Sequence, residues 1–359
     1  MRIVSVIGNR PQFVKAAAVS LKLRERHEEL IVHTGQHYDD ELSRIFFEEL
    51  SVPAPDCQLG VGSGSNTSQT ARMLAALEPE LAALSPELVL VYGDTNSTLA
   101  GALSAAEAGM PVAHVEAGMR SFDRRMPEEL NRVLTDHASR LLLCSTETAV
   151  ENLRREGIED GVHLVGDVMA DVALAFRDIA DERGGVIADR GLEPGEYALL
   201  TAHRAGNVDP PDRLRRLVEL IEALPLPVVF PVHFRTEARL EAAGLFDRLE
   251  HADHVELTPP LGYLDFLQLV QHARAVLTDS GGVQKEAYLM GTPCITLRDT
   301  TEWVETVEAG WNVLVDLDRE AALAALERTP PGDNRPELYG GGRAGERICD
   351  VLSAYTQGP

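Results

Sequence analysis

Three carboxylates stand where this chain could do chemistry: Asp94, Glu116 and Glu128. Asp94 follows the apolar run Leu88 to Tyr92 and opens the polar stretch Asp94-Thr95-Asn96-Ser97 after Gly93. Glu116 follows a second apolar run, Pro111 to Val115. Glu128 stands beside Glu129 in the first turn of a helix expected to open at Pro127. Both runs have the length of strands, and in an open α/β sheet ligands bind in the crevice beyond the carboxyl ends of the strands. An acid just past a parallel strand adds little stability there, so the three read together as a site. Taken singly they have another reading, with Asp94 capping the helix from Thr95 and Glu128 and Glu129 complementing a helix dipole.

A second set suits a phosphorylated ligand. The segment Leu277 to Glu286, LTDSGGVQKE, runs from a strand through Asp279-Ser280-Gly281-Gly282 into a helix. Glycines let the backbone approach a ligand, and a helix N-terminus offers free N–H groups to phosphate. Glu286, about two turns into that helix, could accept hydrogen bonds from the two hydroxyls of a ribose. The plainer reading is an N-cap at Ser280 and a solvated Glu286; no full GxGxxG or Walker pattern occurs. Near the start of the chain, Gly8-Asn9-Arg10-Pro11 leads into a helix that carries Lys15, so Arg10 and Lys15 could meet a diphosphate. The alternative for Lys15 is a solvated helix face. His203 and His233 each follow a strand directly and could donate to phosphate or serve as acid or base near neutral pH. His33 and His37 carry less weight, because loop histidines are common. No His/Cys/Asp cluster has zinc spacing and no GxSxG elbow offers a serine, which disfavours a metal hydrolase and an α/β-hydrolase.

The elements that must position these groups alternate along the chain. Apolar runs at Ile3 to Ile7, Leu30 to His33, Leu88 to Tyr92, Val112 to Val115 and Leu141 to Cys144 alternate with amphipathic stretches, the second of them expected to run through Glu49. Such alternation predicts a parallel sheet covered on both faces. A second set follows Gly166-Asp167: Tyr197 to Leu200, Val228 to Pro231, Val255 to Leu257, Ala275 to Leu277 and Cys294 to Leu297. Because 359 residues exceed what one core usually supports, two domains are expected, with a hinge near Gly166 to Ala170. We expect an N-terminal domain over 1–167, a second over 168–343, and a last helix over 344–359 that could fold back on the first domain.

Composition is that of a globular protein, 44 % hydrophobic and 25 % charged, with a formal net charge of −24 and no basic stripe. This argues against nucleic acid or anionic membrane as main partners. Cys57, Cys144, Cys294 and Cys349 show no CxxC spacing, and the two in apolar runs read as buried free thiols. With no leader pattern and no apolar run long enough for a bilayer, a cytoplasmic protein is expected.

Together the segments GNRPQFVK, HTGQHYD, YGDTNSTLAGA, HVEAGMRS, MPEELNR, TAHR, PVH, TDSGGVQKEAYLMGTPCITLRDTTEWVE and GWNVLV resemble the UDP-N-acetylglucosamine 2-epimerases, in family order from Gly8 to Val315. The resemblance implies the GT-B arrangement, two Rossmann-like domains with parallel sheets facing each other across a cleft and closing over a nucleotide sugar, commonly as a homodimer. It implies that UDP sits mainly on the C-terminal half, with Ser280, Gly281 and Gly282 at the diphosphate and Glu286 at the ribose. It further implies inversion at C2 by elimination of UDP to a 2-acetamidoglucal and re-addition, with Asp94, Glu116 and Glu128 as the carboxylates. The departing UDP would be stabilised by Arg10, Lys15, His203 and the Ser280 helix N-terminus. No metal or redox cofactor is implied. The family often has Thr where Asn9 stands and Glu where Gly206 stands. The segment after Gln36-His37, here Tyr38-Asp39, differs from members regulated at a second substrate site, so no such allosteric site is expected. HTGQHYD, SFDRRMPEELNR and RDTTEWVETVEAGWNV look closest to a subgroup that includes epimerases of UDP-2,3-diacetamido-glucuronic acid. That substrate, and a hydrolysing variant releasing ManNAc and UDP, stand beside UDP-N-acetylglucosamine. A GT-B glycosyltransferase, which needs no C2 base, and a silent UDP-sugar-binding module are the remaining readings.

Overall fold

Short runs between turn formers make strands when both faces are covered, and the described residues form thirteen of them, Arg2–Ile7 among the longest. The computed structural model describes residues 1–35, 53–183, 185–332 and 335–355. The stretch Gln36-His37-Tyr38-Asp39, the helix expected through Glu49 and the side chain of Arg10 lie outside what it describes.

The chain divides into two compact units, Met1–Val172 with Glu337–Pro359, and Ala173–Pro336. In the first unit the strands are β1 (Arg2–Ile7), β2 (Glu28–His33), β3 (Cys57–Gln58), β4 (Leu88–Tyr92), β5 (Val112–Ala117), β6 (Leu141–Cys144) and β7 (Val162–Leu164). They form one sheet in the order β3-β2-β1-β4-β5-β6-β7. In the second unit β8 (Ala198–Thr201), β9 (Val228–Pro231), β10 (Val255–Thr258), β11 (Ala275–Thr278), β12 (Cys294–Thr296) and β13 (Asn312–Leu314) form a sheet in the order β10-β9-β8-β11-β12-β13. All described pairings are parallel. Each unit is therefore Rossmann-like, with its strand order reversing once, between β1 and β4 in the first and between β8 and β11 in the second. Such switch points open a crevice at the carboxyl ends of the strands.

Burial explains the pattern. In the first unit Met73, Leu77 and Leu81, four residues apart on one face of the helix Asn66–Leu84, pack on Val4, Val6, Val32, Val89 and Val91. In the second, Leu217, Val218 and Ile221 of the helix Pro211–Glu222 cover Leu200, Phe230 and Leu277. Each such side chain contributes about 1.5–3 kcal/mol when fully buried. The last helix, Ala344–Ala354, belongs to the first unit. Its first two N–H groups donate to the Asp171 carboxylate at 2.9 and 2.7 Å, and Arg26 pairs with Asp350. Gly345 lies so close to the Ala18 carbonyl that a Cβ would meet it at 2.5 Å.

Three strands, β3, β7 and β13, were not among the expected apolar runs, being only two or three residues long. A larger difference concerns β5. It does not stop at Val115 but continues to Ala117, with a register shift against β6 and Glu116 at φ +73. Glu116 is thus held inside a bulged strand end, in a backbone region that L-residues seldom occupy. No helix among the described residues is long and apolar enough to cross a membrane. Cys144, Cys294 and Cys349 are buried, and all four cysteines are free.

Candidate active site

In the first unit, local chemistry shapes the turn after β1. A Cβ on Gly8 would fall 2.0 Å from Ser97 Oγ and 2.2 Å from Thr34 Oγ1, so only glycine fits. Asn9 caps the helix Arg10–Leu23 by accepting from Gln12 N–H, with Pro11 in its first turn. Gln12 then ties the switch point together. Its carbonyl accepts from Gly8 N–H at 2.8 Å, and its amide donates to the Tyr92 carbonyl and to Thr98 Oγ1, both at 2.9 Å.

This turn brings Lys15 to Glu116, and the two side chains form an ion pair, 14 % and 12 % exposed. Lys15 is therefore not on a solvated helix face. Gly93 lies against the pair: a Cβ there would sit 2.9 Å from Lys15 Nζ and 3.5 Å from Glu116 Oε2. Asp94 does not cap the next helix, because Thr95 does so through a reciprocal pair with Thr98. Asp94 is ion-paired instead with Arg132, which also approaches Glu129 at 3.3 Å. Glu128 is exposed in the first turn of the helix Pro127–Ala138 and makes no hydrogen bond or ion pair with the described residues. Its neighbour Glu129 is buried and accepts from Ser121 N–H, Ser121 Oγ and Phe122 N–H at 2.8–2.9 Å. The adjacent acids thus differ entirely: Glu129 holds a loop, while Glu128 remains open to a reaction partner.

Sequence reasoning passed over the face that organises these groups. Glu129, Arg132 and Asp136 follow i, i+3, i+7 spacing and are all buried. Asp136 accepts from Gly118 N–H at 3.1 Å and Arg120 at 2.7 Å, and faces His114 Nδ1 at 2.7 Å. Burial alone would push the Asp136 carboxyl up, but His114 and Arg120 hold it below the usual range. Asn131 donates to the Asp94 carbonyl at 3.0 Å. The signal available in the sequence was the charged triplet at helical spacing behind Pro127.

In the second unit the switch point carries His203, Arg204 and Ser280. Asp279, fully buried, accepts from the N–H groups of His203 and Arg204 at 3.0–3.1 Å and from Asn207 at 3.1 Å. Neither its depth nor this clamp was foreseen. The rings of His203 and His233 lie 5.4 Å apart, and His233 Nδ1 accepts from Arg235 N–H as the cap of the helix Phe234–Ala242. Burial, then the neighbouring His203 and Arg235, lowers the His233 pKa below 6.5.

Ser280 makes no side-chain capping bond, and the helix Gly281–Met290 begins with two glycines. A Cβ on Gly281 would lie 3.2 Å from Trp303 Nε1 and 3.9 Å from Arg204 Nη2, so the bare helix end faces a guanidinium. The first N–H groups of a helix have no partner within it, and with arginine alongside they suit a phosphate. Glu302 holds Arg204 at 3.7 Å and Arg298 at 2.9 Å. Burial acts to raise the Glu302 pKa, and these arginines bring it below normal. Glu286 is 6 % exposed, so it is not a solvated helix residue. Lys285 lies 4.1 Å over the Trp303 ring. Among the described residues no group of three or more His, Cys, Asp or Glu could hold a metal ion.

Two Rossmann-like units, with acids at one switch point and an open helix N-terminus beside arginine at the other, define an α/β protein of the doubly wound class. The model of the UDP-N-acetylglucosamine 2-epimerase family matches residues 20–353, and the chain belongs to that family of isomerases. It is 47 % identical over 354 residues to a UDP-N-acetylglucosamine 2-epimerase homolog of Methanococcus maripaludis, covering 98 % of this chain and 99 % of that protein. It is equally 47 % identical, over 365 residues with 98 % and 99 % covered, to the UDP-2,3-diacetamido-2,3-dideoxy-D-glucuronate 2-epimerase of Pseudomonas aeruginosa. A crystal structure of Methanocaldococcus jannaschii UDP-GlcNAc 2-epimerase in complex with UDP-GlcNAc and UDP is similar, with a TM-score of 0.91 and 43 % identity, covering 99 % of this chain and all of that one. The resemblance read from the sequence motifs is borne out, and so is the α/β class.

Proposed function

We propose that the protein interconverts UDP-GlcNAc and UDP-ManNAc by inversion at C2. The observation that carries this reading is the placement of Asp94 and Glu116 at the ends of adjacent parallel strands, in a chain of the 2-epimerase family. In the elimination step a carboxylate takes the C2 proton, the C1–O bond to UDP breaks, and a C1=C2 double bond forms. In the return step the UDP oxygen bonds C1 while a carboxylic acid delivers a proton to the opposite face of C2. Electrons balance without a redox partner. Asp94, Glu116 and Glu128 carry the two proton transfers. Both strand-end acids have a cationic neighbour, Lys15 beside Glu116 and Arg132 beside Asp94.

The second unit takes the UDP. The Ser280-Gly281-Gly282 helix end and His203 meet the diphosphate, Glu286 the ribose, and His233 supports His203. Arg10 belongs with the leaving group by family position. Lys15 serves it less directly, because its ammonium is engaged by Glu116. The same reading carries a homodimer acting in the cytoplasm and supplying cell-surface polysaccharide.

The equal identity to the Pseudomonas aeruginosa protein favours one second substrate, the diacetamido-glucuronate sugar. Proton NMR in D2O with each UDP-sugar tests both. Deuterium at C2 together with the manno product establishes epimerisation and names the substrate; free ManNAc and UDP mean the hydrolysing outcome. No exchange with either sugar while UDP binds would overturn the epimerase reading in favour of a glycosyltransferase.

A further inference from the structure

The first unit buries a histidine–carboxylate pair that no step of the proposed reaction uses. His114 is fully buried in β5, and Asp136 is 1 % exposed on the helix Pro127–Ala138. Replacing such a pair by apolar side chains is often neutral or stabilising, so stability alone gives little reason for it. Its contacts suggest another. His114 Nε2 lies 2.7 Å from the Gly93 carbonyl, in the turn that carries Asp94. His114 Nδ1 lies 2.7 Å from Asp136, whose other oxygen accepts from Gly118 N–H, two residues beyond Glu116. Each ring nitrogen thus faces an oxygen, one of a carbonyl and one of a carboxylate.

The register makes this possible. His114 stands opposite Val91 in the parallel β4–β5 pair, so its ring reaches the Gly93 carbonyl just past the end of β4. The turn at Gly93 has φ +65 and Gly118 has φ +77, so both ends of the clamp are left-handed, and the sheet holds the Gly93 end only by its N–H, which donates to the Val115 carbonyl at 3.0 Å. Arg120 completes the anchor. It donates to Asp136 at 2.7 Å and to both oxygens of Glu156 at 2.7 Å, and is itself 7 % exposed. The groups facing His114 are thus Asp136 and the Gly93 carbonyl, with Arg120 and Glu156 behind Asp136.

We propose that His114 is a positioning residue, tying the Asp94 turn to the Glu116 strand end through Asp136 and so setting the two carboxylates relative to each other. The inference rests on the epimerase reading for its consequence, but the clamp is a property of the fold. Two variants separate placement from mere filling of space. His114→Gln can place an amide N–H where Nε2 donates to Gly93, and His114→Asn one where Nδ1 meets Asp136. Both remove the ring, so a difference between them reports which of its two contacts is kept.

Hydrogen exchange of the amides of residues 93–95, followed by mass spectrometry, reads the clamp without turnover. His114→Asn should lose protection there, and His114→Gln should keep most of it. In the same samples, C2 proton exchange from the UDP-sugar should fall about 100-fold in kcat for His114→Asn, with KM within about threefold, and be partly rescued in His114→Gln. Equal protection in the two variants would overturn the clamp. Unequal protection with equal kcat would overturn its role in setting the carboxylates. Absence of C2 exchange in the wild type would count against the epimerase reading, while the protection pattern still decides the clamp.

Discussion

Replacing Gly93 by alanine perturbs the site by a single methyl group. Gly93 has φ +65, which costs an L-residue about 1–2 kcal/mol. The new Cβ would lie 2.9 Å from Lys15 Nζ and 3.5 Å from Glu116 Oε2. The first is closer than carbon and nitrogen tolerate, but it is the far end of a flexible side chain, so Lys15 moves and the backbone does not. Stability should therefore fall by no more than the backbone term. At about 2–4 °C per kcal/mol for a unit of this size, that is a loss of roughly 2–8 °C in Tm. Activity should respond more strongly. Moving the ammonium from Glu116 by about 1 Å disturbs the carboxylate that meets C2, and misplacement of that size costs on the order of 100-fold. Gly109→Ala is the matched control: Gly109 has φ +71 and nothing within 4 Å of its Cβ position. It should show the same loss of Tm with full activity. Thermal unfolding followed by circular dichroism, with C2 proton exchange in D2O on the same samples, measures both. Wild-type turnover in folded Gly93→Ala, or an equal loss of turnover in Gly109→Ala, would refute the reasoning.

Two further outcomes follow from buried groups. His33, at the end of β2, is 2 % exposed, and burial lowers its pKa from 6.5 to about 4. As pH falls below 6.5 the unfolded chain takes up this proton first, so the contribution is intact above 6.5 and is lost progressively down to about 4. The full drop corresponds to about 3 kcal/mol. Urea unfolding at pH 7.5 and 4.5 should show His33→Gln losing about 2–3 kcal/mol less than the wild type over that interval, and identical pH dependence would contradict it. Asp279→Ala leaves the buried N–H groups of His203 and Arg204 and the Asn207 amide without their acceptor, at a cost of about 3–5 kcal/mol. The urea midpoint should fall accordingly and UDP affinity with it; a change below about 1 kcal/mol would show that the clamp is dispensable.

Much of this protein was legible in its sequence because the informative signals are local. Apolar runs ending in Gly93-Asp94, in Glu116 or in Asp279-Ser280-Gly281-Gly282 already placed polar groups at strand ends. A parallel sheet positions its ligands at those ends, which is why the runs single out these residues as site candidates. Strands as short as Cys57–Gln58 and Val162–Leu164 carry too few side chains to announce themselves and exist only by pairing with a neighbour.

What tertiary structure decided is who faces whom. Lys15 meets Glu116 across 101 residues of chain, and Arg132 reaches Asp94 across 38. Hydrophobic patterning would bury Leu130 and Leu134, yet they are 58 % and 41 % exposed, whereas Glu129, Arg132 and Asp136 on the same helix are buried. Periodicity finds the apolar face of a helix and takes the charged face to be solvated. That inference fails here because the polar groups these charges satisfy, Ser121 N–H, Asp94, Gly118 N–H and His114, come from other segments. Only the folded sheet brings them to the helix, and only then does burying a charge cost less than leaving its partners unmet.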